Sequence, residues 1–205
     1  SGDERGRILR RWNDLILART ADLARTMSLE MGKPIVETRG EVRYAASFVD
    51  YYAEAARRIG GEMLPAPFAH KRFLVRYEPV GPAFGITPWN FPAGMVTRKA
   101  APALAAGCTF ILKPAERDPG VPMRLAELML EAGLPAGILN VGNGDKEAVD
   151  AILQHPGIAA VIFVGSTPNI YTSQHARSLH DTRLLSLGGA KNHMIVLPDA
   201  DIDMA

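Results

Sequence analysis

From Gly81 onward, the sequence alternates short unbroken apolar runs with longer stretches of helical periodicity. An apolar run without polar alternation is typical of a strand that is covered on both faces, as in a parallel sheet. The predicted strands are Ala83 to Thr87, Thr109 to Leu112, Ile138 to Val141, Val161 to Val164 and Met194 to Leu197. The helix candidates between them are Met95 to Ala106, Val121 to Ala132, Lys146 to Gln154 and Ile170 to Leu179. This alternation predicts an α/β fold, a doubly wound parallel sheet with helices on both faces.

The first part of the chain has a different texture, because apolar residues recur there at helical spacing. Two helices are predicted from the apolar sets Ile8, Trp12, Leu15, Ile16 and Leu23, Met27, Met31. A third helix is predicted from about Ile35 to Gly60-Gly61, with an aromatic series along it. We therefore divide the chain into an N-terminal helical arm at 1–70 that packs on the α/β domain, an edge or interface strand at 71–80, and an incomplete α/β domain at 81–205.

Composition excludes several classes of function. The 23 Lys+Arg and 22 Asp+Glu leave a formal charge of +1, which gives no general attraction to nucleic acid or to a membrane surface. No apolar run approaches the roughly 20 residues that a bilayer span needs. The single cysteine, Cys108, suits a reducing compartment, so we expect a cytoplasmic protein. The five histidines show no metal-ligand spacing, and we expect no metal site.

Polar and glycine residues follow each of the first four predicted strands, where parallel sheets bind ligands. Lys113 and Glu116 are suited to ribose hydroxyls, or they form a helix-entry salt bridge. Gly165-Ser166 offers free backbone N–H groups to a pyrophosphate, or Ser166 merely caps a helix. The stretch Gly142-Asn143-Gly144-Asp145 matches only half of a glycine-rich dinucleotide fingerprint, because Glu147 stands where the last glycine belongs.

The corner Pro88-Trp89-Asn90-Phe91-Pro92 is unusually stiff for a strand end. Each proline fixes its own φ near −65° and biases the residue before it toward extended geometry. The corner therefore holds Asn90, whose amide N–H is suited to donate to an oxygen that gains negative charge. The alternative is a turn asparagine that bonds its own backbone.

Together these motifs resemble the NAD(P)-dependent aldehyde dehydrogenase superfamily, whose sheet is Rossmann-like. The resemblance is carried by ITPWNFP (86–92), APALAAGCTFILKPAE (101–116), EAGLPAGILNV (131–141), FVGST (163–167) and LGGAKNH (187–193). It covers essentially the whole chain. The first half looks most like succinate-semialdehyde dehydrogenases, and the second half looks like CoA-acylating methylmalonate-semialdehyde dehydrogenases. A mosaic of two subfamilies is one explanation of this pattern, and an engineered or misassembled chain is another.

The resemblance implies a role for individual positions. Asn90 corresponds to the family's oxyanion donor, which acts with a backbone N–H at the catalytic cysteine. Arg98 matches the position that holds the substrate carboxylate in succinate-semialdehyde enzymes, or it is a surface arginine of a helix. The implied cofactor-binding residues are Ile86, Thr87, Pro88, Trp89, Lys113, Ala115, Glu116, Gly144, Phe163, Gly165, Ser166, Leu187 and Gly188. A carboxylate at Glu116 would repel a 2′-phosphate, so NAD is expected in preference to NADP.

The chain departs from the family pattern at three places. The family's nucleophilic cysteine lies downstream of the LGG segment, beyond Ala205, and Cys108 is interpreted as a buried inert thiol. The general-base glutamate before LGG is replaced, since Leu185-Ser186-Leu187 stands there. Its absence is shared with the CoA-acylating subfamily, in which CoA takes the acyl group. Lys146 occupies a position where most of the family has glycine, which weakens the expected pyrophosphate contact.

These observations predict the NAD-binding portion of an aldehyde dehydrogenase that oxidises a small semialdehyde through a cysteine thioester. The chain alone is expected not to turn over, and its full-length parent is expected to form a homo-oligomer. The alternative is a non-catalytic nucleotide-binding or assembly module that pairs with other subunits through its helical arm and the strand Phe73 to Tyr77.

Overall fold

The computed structural model describes residues 1–170, 182–189 and 192–203. Its centre is a parallel five-stranded sheet with the spatial order β5-β4-β3-β6-β7. The strands are β3 (Ala83–Ile86), β4 (Phe110–Lys113), β5 (Leu139–Val141), β6 (Ala160–Val164) and β7 (Arg183–Leu187). The crossover helices are α4 (Gly94–Ala105), α5 (Gly120–Glu131) and α6 (Lys146–Gln154). The predicted doubly wound α/β fold is confirmed, with four of the predicted strands shifted by at most one residue at either end.

The strand order creates a crevice at one place in the sheet. From β3 the chain moves outward through β4 to β5, and it then returns to place β6 on the other side of β3. The crossover through α4 leads from β3 to one side, and the crossover through α6 leads from β5 past β3 to the other side, which opens a ligand-binding crevice at the carboxyl ends of β3 and β6. Gly85 lets the sheet pack tightly, because a Cβ there would lie 2.3 Å from the ring of Phe110.

The predicted fifth strand was wrong. Residues 194–197 form no strand, and their side chains are exposed, Ile195 by 85%. The fifth strand is β7, which pairs in parallel with β6 from Ala160↔Arg183 to Val164↔Leu187. Strand pairing depends on which run reaches the free edge of β6, and apolar content alone does not reveal this. A helix begins at residue 167, but the rest of the predicted helix to Leu179 lies outside the described residues.

Three helices precede the sheet, and they pack against α4 and α5. They are α1 (Gly2–Ala18), α2 (Thr20–Met31) and α3 (Ile35–Ala55). Ser1 and Glu4 form a capping box at the start of α1, and Gly32 ends α2 in the left-handed conformation. Trp12 is fully buried, and its indole N–H donates to the carbonyl of Leu125 on α5 at 2.9 Å. The three helices thus share one core with α4 and α5.

A small antiparallel hairpin lies between α3 and the sheet. It consists of β1 (Glu62–Leu64) and β2 (Phe73–Val75), paired from Glu62↔Val75 to Leu64↔Phe73. The strand predicted at Phe73 to Tyr77 is present in its first three residues. The partner strand β1 lies within the range that was assigned to the helical arm. Leu74 is 77% exposed, so the hairpin stands away from the core of the described chain.

Candidate nucleotide-binding cleft and oxyanion corner

A cleft of about 600 Å³ opens at the carboxyl edge of the sheet, in the crevice between β3 and β6. That volume is within the usual range for a small-molecule site. Ten of the thirteen residues named as cofactor-binding line it, namely Ile86, Thr87, Pro88, Trp89, Lys113, Ala115, Glu116, Phe163, Gly165 and Ser166. The structure thus brings together residues from three separate strand ends.

Lys113 and Glu116 form one wall of this cleft. The Lys113 Nζ donates to Glu116 Oε2 at 3.1 Å, so the salt bridge considered as the alternative is present. The Lys113 side chain is only 6% exposed, whereas the Glu116 side chain is 58% exposed. Backbone hydrogen bonding at Glu116 and the bond from Lys113 lower the pKa of the Glu116 carboxyl. Glu116 is therefore charged at neutral pH and retains acceptor capacity, while the ammonium retains two further donors.

The opposite wall comes from the end of β6. Gly165 and Ser166 line the cleft directly before the helix that begins at residue 167. The Ser166 carbonyl accepts the N–H of Ile170, so Ser166 is at the N-cap position of that helix. Both proposed functions of Ser166 are compatible with this position, because helix N-termini attract phosphate.

Three of the named cofactor positions lie outside the cleft lining. Gly144 precedes the N-cap residue of α6, with φ of 148°. Leu187 ends β7 and is 46% exposed. A Cβ at Gly188 would lie 2.6 Å from the Ile170 side chain, so this glycine allows the chain after β7 to approach the helix at 167.

Several cleft residues were not named from the sequence. They are Arg117, Asp145, Val149, Asp150, Leu153, Val164 and Asn169, together with Lys146, which was noted only as a departure. Lys146 forms an ion pair with Asp150 one turn along α6. The Asp145 side chain accepts the N–H of Glu147 at 3.2 Å and so caps α6. The sequence signal for this part of the cleft was the half-matched dinucleotide fingerprint around Gly144, since it marks a strand-to-helix turn at the carboxyl ends of the strands.

The Asn90 corner lies beyond β3, beside the cleft rather than in it. Trp89 lines the cleft, whereas Asn90 is exposed and absent from its lining. Within the described residues, no hydrogen bond ties the Asn90 carboxamide to its own turn, as the alternative would require. The backbone carbonyl of Asn90 accepts a hydrogen bond from Lys33 Nζ at 2.9 Å. The Asn90 side-chain amide is thus exposed to solvent, while Lys33 holds the backbone of the same residue.

Arg98 lies one turn into α4, the helix that follows this corner. It is exposed, and its guanidinium carbon lies 5.4 Å from the centroid of the Phe48 ring on α3. That distance is suitable for a cation–π contact. Tyr44 packs edge-on against Phe48 with ring centroids 4.7 Å apart. The Arg98 guanidinium therefore packs against the aromatic surface that Tyr44 and Phe48 form on α3.

Cys108 lies near the amino ends of the strands, opposite to the carboxyl ends where the cleft opens. Ala83 pairs with Phe110 and Ile86 pairs with Lys113, so Cys108 precedes the amino end of β4 while Asn90 follows the carboxyl end of β3. The thiol is buried at 6% exposure. A nucleophile must lie within reach of the oxyanion donor, and Cys108 does not. The sequence-based view of this thiol as a core residue agrees with its burial.

The comparison with known proteins assigns the family. The model of the aldehyde dehydrogenase family matches residues 1–205, and the chain belongs to that family. The succinate-semialdehyde dehydrogenase [NADP(+)] of Escherichia coli K12 is 46% identical over 204 residues, covering 98% of this chain and 42% of that enzyme. A glutarate-semialdehyde dehydrogenase of Pseudomonas aeruginosa is 45% identical over 204 residues, with the same coverage of 98% and 42%.

Solved structures give the same result. The crystal structure of a putative methylmalonate-semialdehyde dehydrogenase from Sinorhizobium meliloti 1021, complexed with NAD, has a TM-score of 0.93 and 45% identity. The match covers 99% of this chain and 41% of that one. The chain thus spans about two fifths of the length of these relatives. No helix in the described part of the chain is long and apolar enough to cross a membrane.

Proposed function

We propose that this chain binds NAD as part of an aldehyde dehydrogenase that oxidises a small semialdehyde. The main support for the proposal is that Lys113, Glu116 and Ser166 line the same cleft. This cleft lies at the carboxyl ends of β3 and β6, where the strand order of the sheet reverses. Lys113 and Glu116 would hold the adenosine ribose, and the helix start at Ser166 would face the pyrophosphate. Ile86 to Trp89 would line the way to the nicotinamide. A bound nicotinamide would supply the hydride acceptor.

The substrate class follows from Asn90 and Arg98. The exposed Asn90 amide would donate to the oxygen of an aldehyde that has been attacked by a thiolate, where negative charge develops. Arg98 would pair with a distal carboxylate, because a guanidinium binds a carboxylate through two parallel hydrogen bonds. Succinate or methylmalonate semialdehyde carries an aldehyde and a carboxylate a few bonds apart. The names of the relatives support this class, since all three reported above are semialdehyde dehydrogenases.

Transfer to CoA is the proposed fate of the acyl group in the whole enzyme. Ser186 stands directly before the LGG segment, where the family resemblance implies the general-base glutamate, and it lies within β7 beside Phe163 of β6. A serine hydroxyl has no basic carboxylate with which to activate water. Thioester hydrolysis would therefore lack its base, and a thiol acceptor would replace water.

Replacing Lys113 tests the cofactor site. Lys113→Met is expected to weaken NAD binding about tenfold, because a buried charge-assisted hydrogen bond contributes roughly 1.5 kcal/mol or more. The measurement is calorimetric titration of the 205-residue chain with NAD. Lys71→Met is the matched control, since Lys71 precedes the hairpin strand β2 and contacts Phe68 rather than the cleft. Equal NAD affinity in both variants would contradict the assignment of Lys113.

Replacing Glu116 tests the choice of cofactor. Glu116→Gln is expected to improve NADP binding relative to NAD about fivefold, because it removes repulsion worth roughly 1 kcal/mol between a solvated carboxylate and a 2′-phosphate. The ratio of the two dissociation constants measures the effect. Salt should diminish the difference between the variant and the original chain. A ratio that stays the same would show that Glu116 does not face the 2′ position.

The chain alone is expected to form no NADH from succinate or methylmalonate semialdehyde, with or without CoA. The reason is that its single thiol is buried at the edge of the sheet away from Asn90. Absorbance at the NADH band provides the assay. NADH formation that disappears in Cys108→Ser would overturn the interpretation of Cys108 as a core residue.

The second hypothesis, a non-catalytic assembly module, makes the opposite prediction for the titration. It requires neither NAD binding nor an effect of Lys113→Met. Absence of heat with NAD at millimolar concentration would favour it. The exposed hairpin residues Met63 and Leu74, 68% and 77% accessible, are the feature that keeps this hypothesis open.

A further inference from the structure

An ion pair of the helical arm lies directly beneath the Asn90 corner. Lys33, in the turn between α2 and α3, approaches Glu41 of α3 with 2.6 Å between Nζ and Oε2. The two side chains are 14% and 2% exposed, so the pair is largely withdrawn from water. Nothing in the proposed cofactor or substrate contacts uses either residue.

Lys33 holds Asn90 and Phe91 within the corner. Its Nζ donates to the Asn90 carbonyl at 2.9 Å and lies 4.1 Å from the centroid of the Phe91 ring. The first contact is a charge-assisted hydrogen bond, and the second is at cation–π distance. One ammonium therefore contacts two successive residues of the corner.

Glu41 holds the residues directly after the corner, at the start of α4. Its Oε1 accepts the backbone N–H groups of Ala93 at 3.0 Å and Gly94 at 3.3 Å. These are N–H groups at the start of α4, which have no partner within the helix. A carboxylate at this end also faces the positive end of the helix dipole. Glu41 thus fixes where α4 begins, and with it the origin of the helix that carries Arg98.

We propose that Lys33 and Glu41 are positioning residues that form a clamp, which holds the corner at Asn90 and Phe91 and the start of α4 directly after it, and so sets the direction of the Asn90 amide. Burying an ion pair generally adds little stability, because desolvation offsets the attraction, but it enforces one geometry when every atom is paired. Here the carboxylate and the ammonium together contact four of the five residues from 90 to 94. The role of the Asn90 amide as an oxyanion donor rests on the proposed function. The contacts by which Lys33 and Glu41 hold this segment do not.

The test uses the isotope-labelled 205-residue chain and NMR. Glu41→Gln and Lys33→Met remove one charge each, and Glu131→Gln is the matched control from the exposed end of α5. The first readout is hydrogen exchange of the Ala93 and Gly94 amides. Glu41→Gln is expected to speed their exchange about tenfold, the equivalent of one weakened charge-assisted hydrogen bond.

The second readout is the carboxamide signal of Asn90, identified by its disappearance in Asn90→Ala. Lys33→Met is expected to shift this signal, since it frees the carbonyl of the same residue. The buried sheet amides of Phe84 and Leu112 serve as an internal reference. Their exchange should remain within about twofold of the original chain, as expected for a local opening.

Two results would overturn the proposal. Unchanged exchange at Ala93 and Gly94 with an unchanged Asn90 signal would show that the corner holds itself. Equal acceleration at Phe84 and Leu112 would assign the pair to general stability rather than to positioning. An NAD titration of the same samples reports separately on the proposed function, because the proposed NAD contacts are Lys113 and Glu116 and include neither clamp residue. If the chain binds no NAD but the variants change the exchange of Ala93 and Gly94 and the Asn90 signal, the cofactor site is refuted and the clamp is supported.

Discussion

Trp12→Ala is expected to lower the free energy of unfolding by about 3–5 kcal/mol, the usual result of removing a fully buried tryptophan. Trp12 is 0% exposed, and its N–H donates to Leu125 across 113 positions of sequence. The substitution would leave a cavity between α1 and α5 and remove the hydrogen bond between them. Urea unfolding followed by circular dichroism gives the free energy.

The same variant tests whether the helical arm and the sheet unfold together. The chain has two tryptophans, so Trp89 at the cleft is the remaining fluorophore in Trp12→Ala. If the arm and sheet form one cooperative unit, the fluorescence midpoint of Trp89 will fall together with the circular dichroism midpoint. Leu29→Ala, at a side chain 76% exposed on α2, is the control and should change stability by at most about 0.5 kcal/mol. A Trp89 midpoint that does not move would show that the arm unfolds independently.

Asp118→Asn is expected to stabilise the protein at pH 8 by up to about 4 kcal/mol and to have little effect near pH 4. Asp118 is 1% exposed, and within the described residues both of its carboxyl oxygens lack a hydrogen-bond partner. Burial and then the nearby carboxylates of Glu30, Glu41 and Glu116 raise the pKa of Asp118 to about 7, against the opposing effect of Lys33.

The sign follows from proton binding. The folded state keeps the Asp118 proton up to about pH 7, whereas the unfolded chain releases it near the ordinary value of 3.8. Stability therefore falls as the pH rises from the unfolded to the folded pKa, and the uncharged asparagine removes that fall. Asp14→Asn, at an exposed position of α1, controls for the change in net charge. Thermal midpoints measured from pH 4 to pH 8 provide the comparison, and parallel curves for Asp118→Asn and the original chain would contradict the prediction.

Much of the fold follows from local patterns. The helices α1 and α2 were predicted from apolar spacing, and α4, α5 and α6 from their position between apolar runs. The aromatic series on α3 was a weaker guide. Tyr44 and Tyr51 are 46% and 68% exposed, while the buried face of that helix consists mainly of small residues such as Ala45 and Ala46. Burial depends on which face a neighbouring helix covers, and the periodicity of a helix does not choose its partner.

The cleft was predicted in outline because three of its walls are strand ends, and parallel strands bring their carboxyl ends to one edge. The residues of α6 that complete it were missed. Lys146 and Asp150 face the cleft because of how α6 lies over the sheet, and their i, i+4 spacing resembles any surface pair. Asp118 was likewise invisible as a buried group, since a charged residue before a proline is typical of an exposed turn.

The sequence by itself determined the first four strands of the sheet and the helices between them, the stiff corner at Asn90 and the polar strand ends, because each depends on residues that are close along the chain. Only the tertiary structure decided that residues 183–187 rather than 194–197 complete the sheet and that Lys33 and Glu41 hold the corner. Those outcomes depend on contacts between residues up to dozens of positions apart. Such contacts are selected by packing and by the pairing of buried charges, and neither leaves a periodic signal in the sequence.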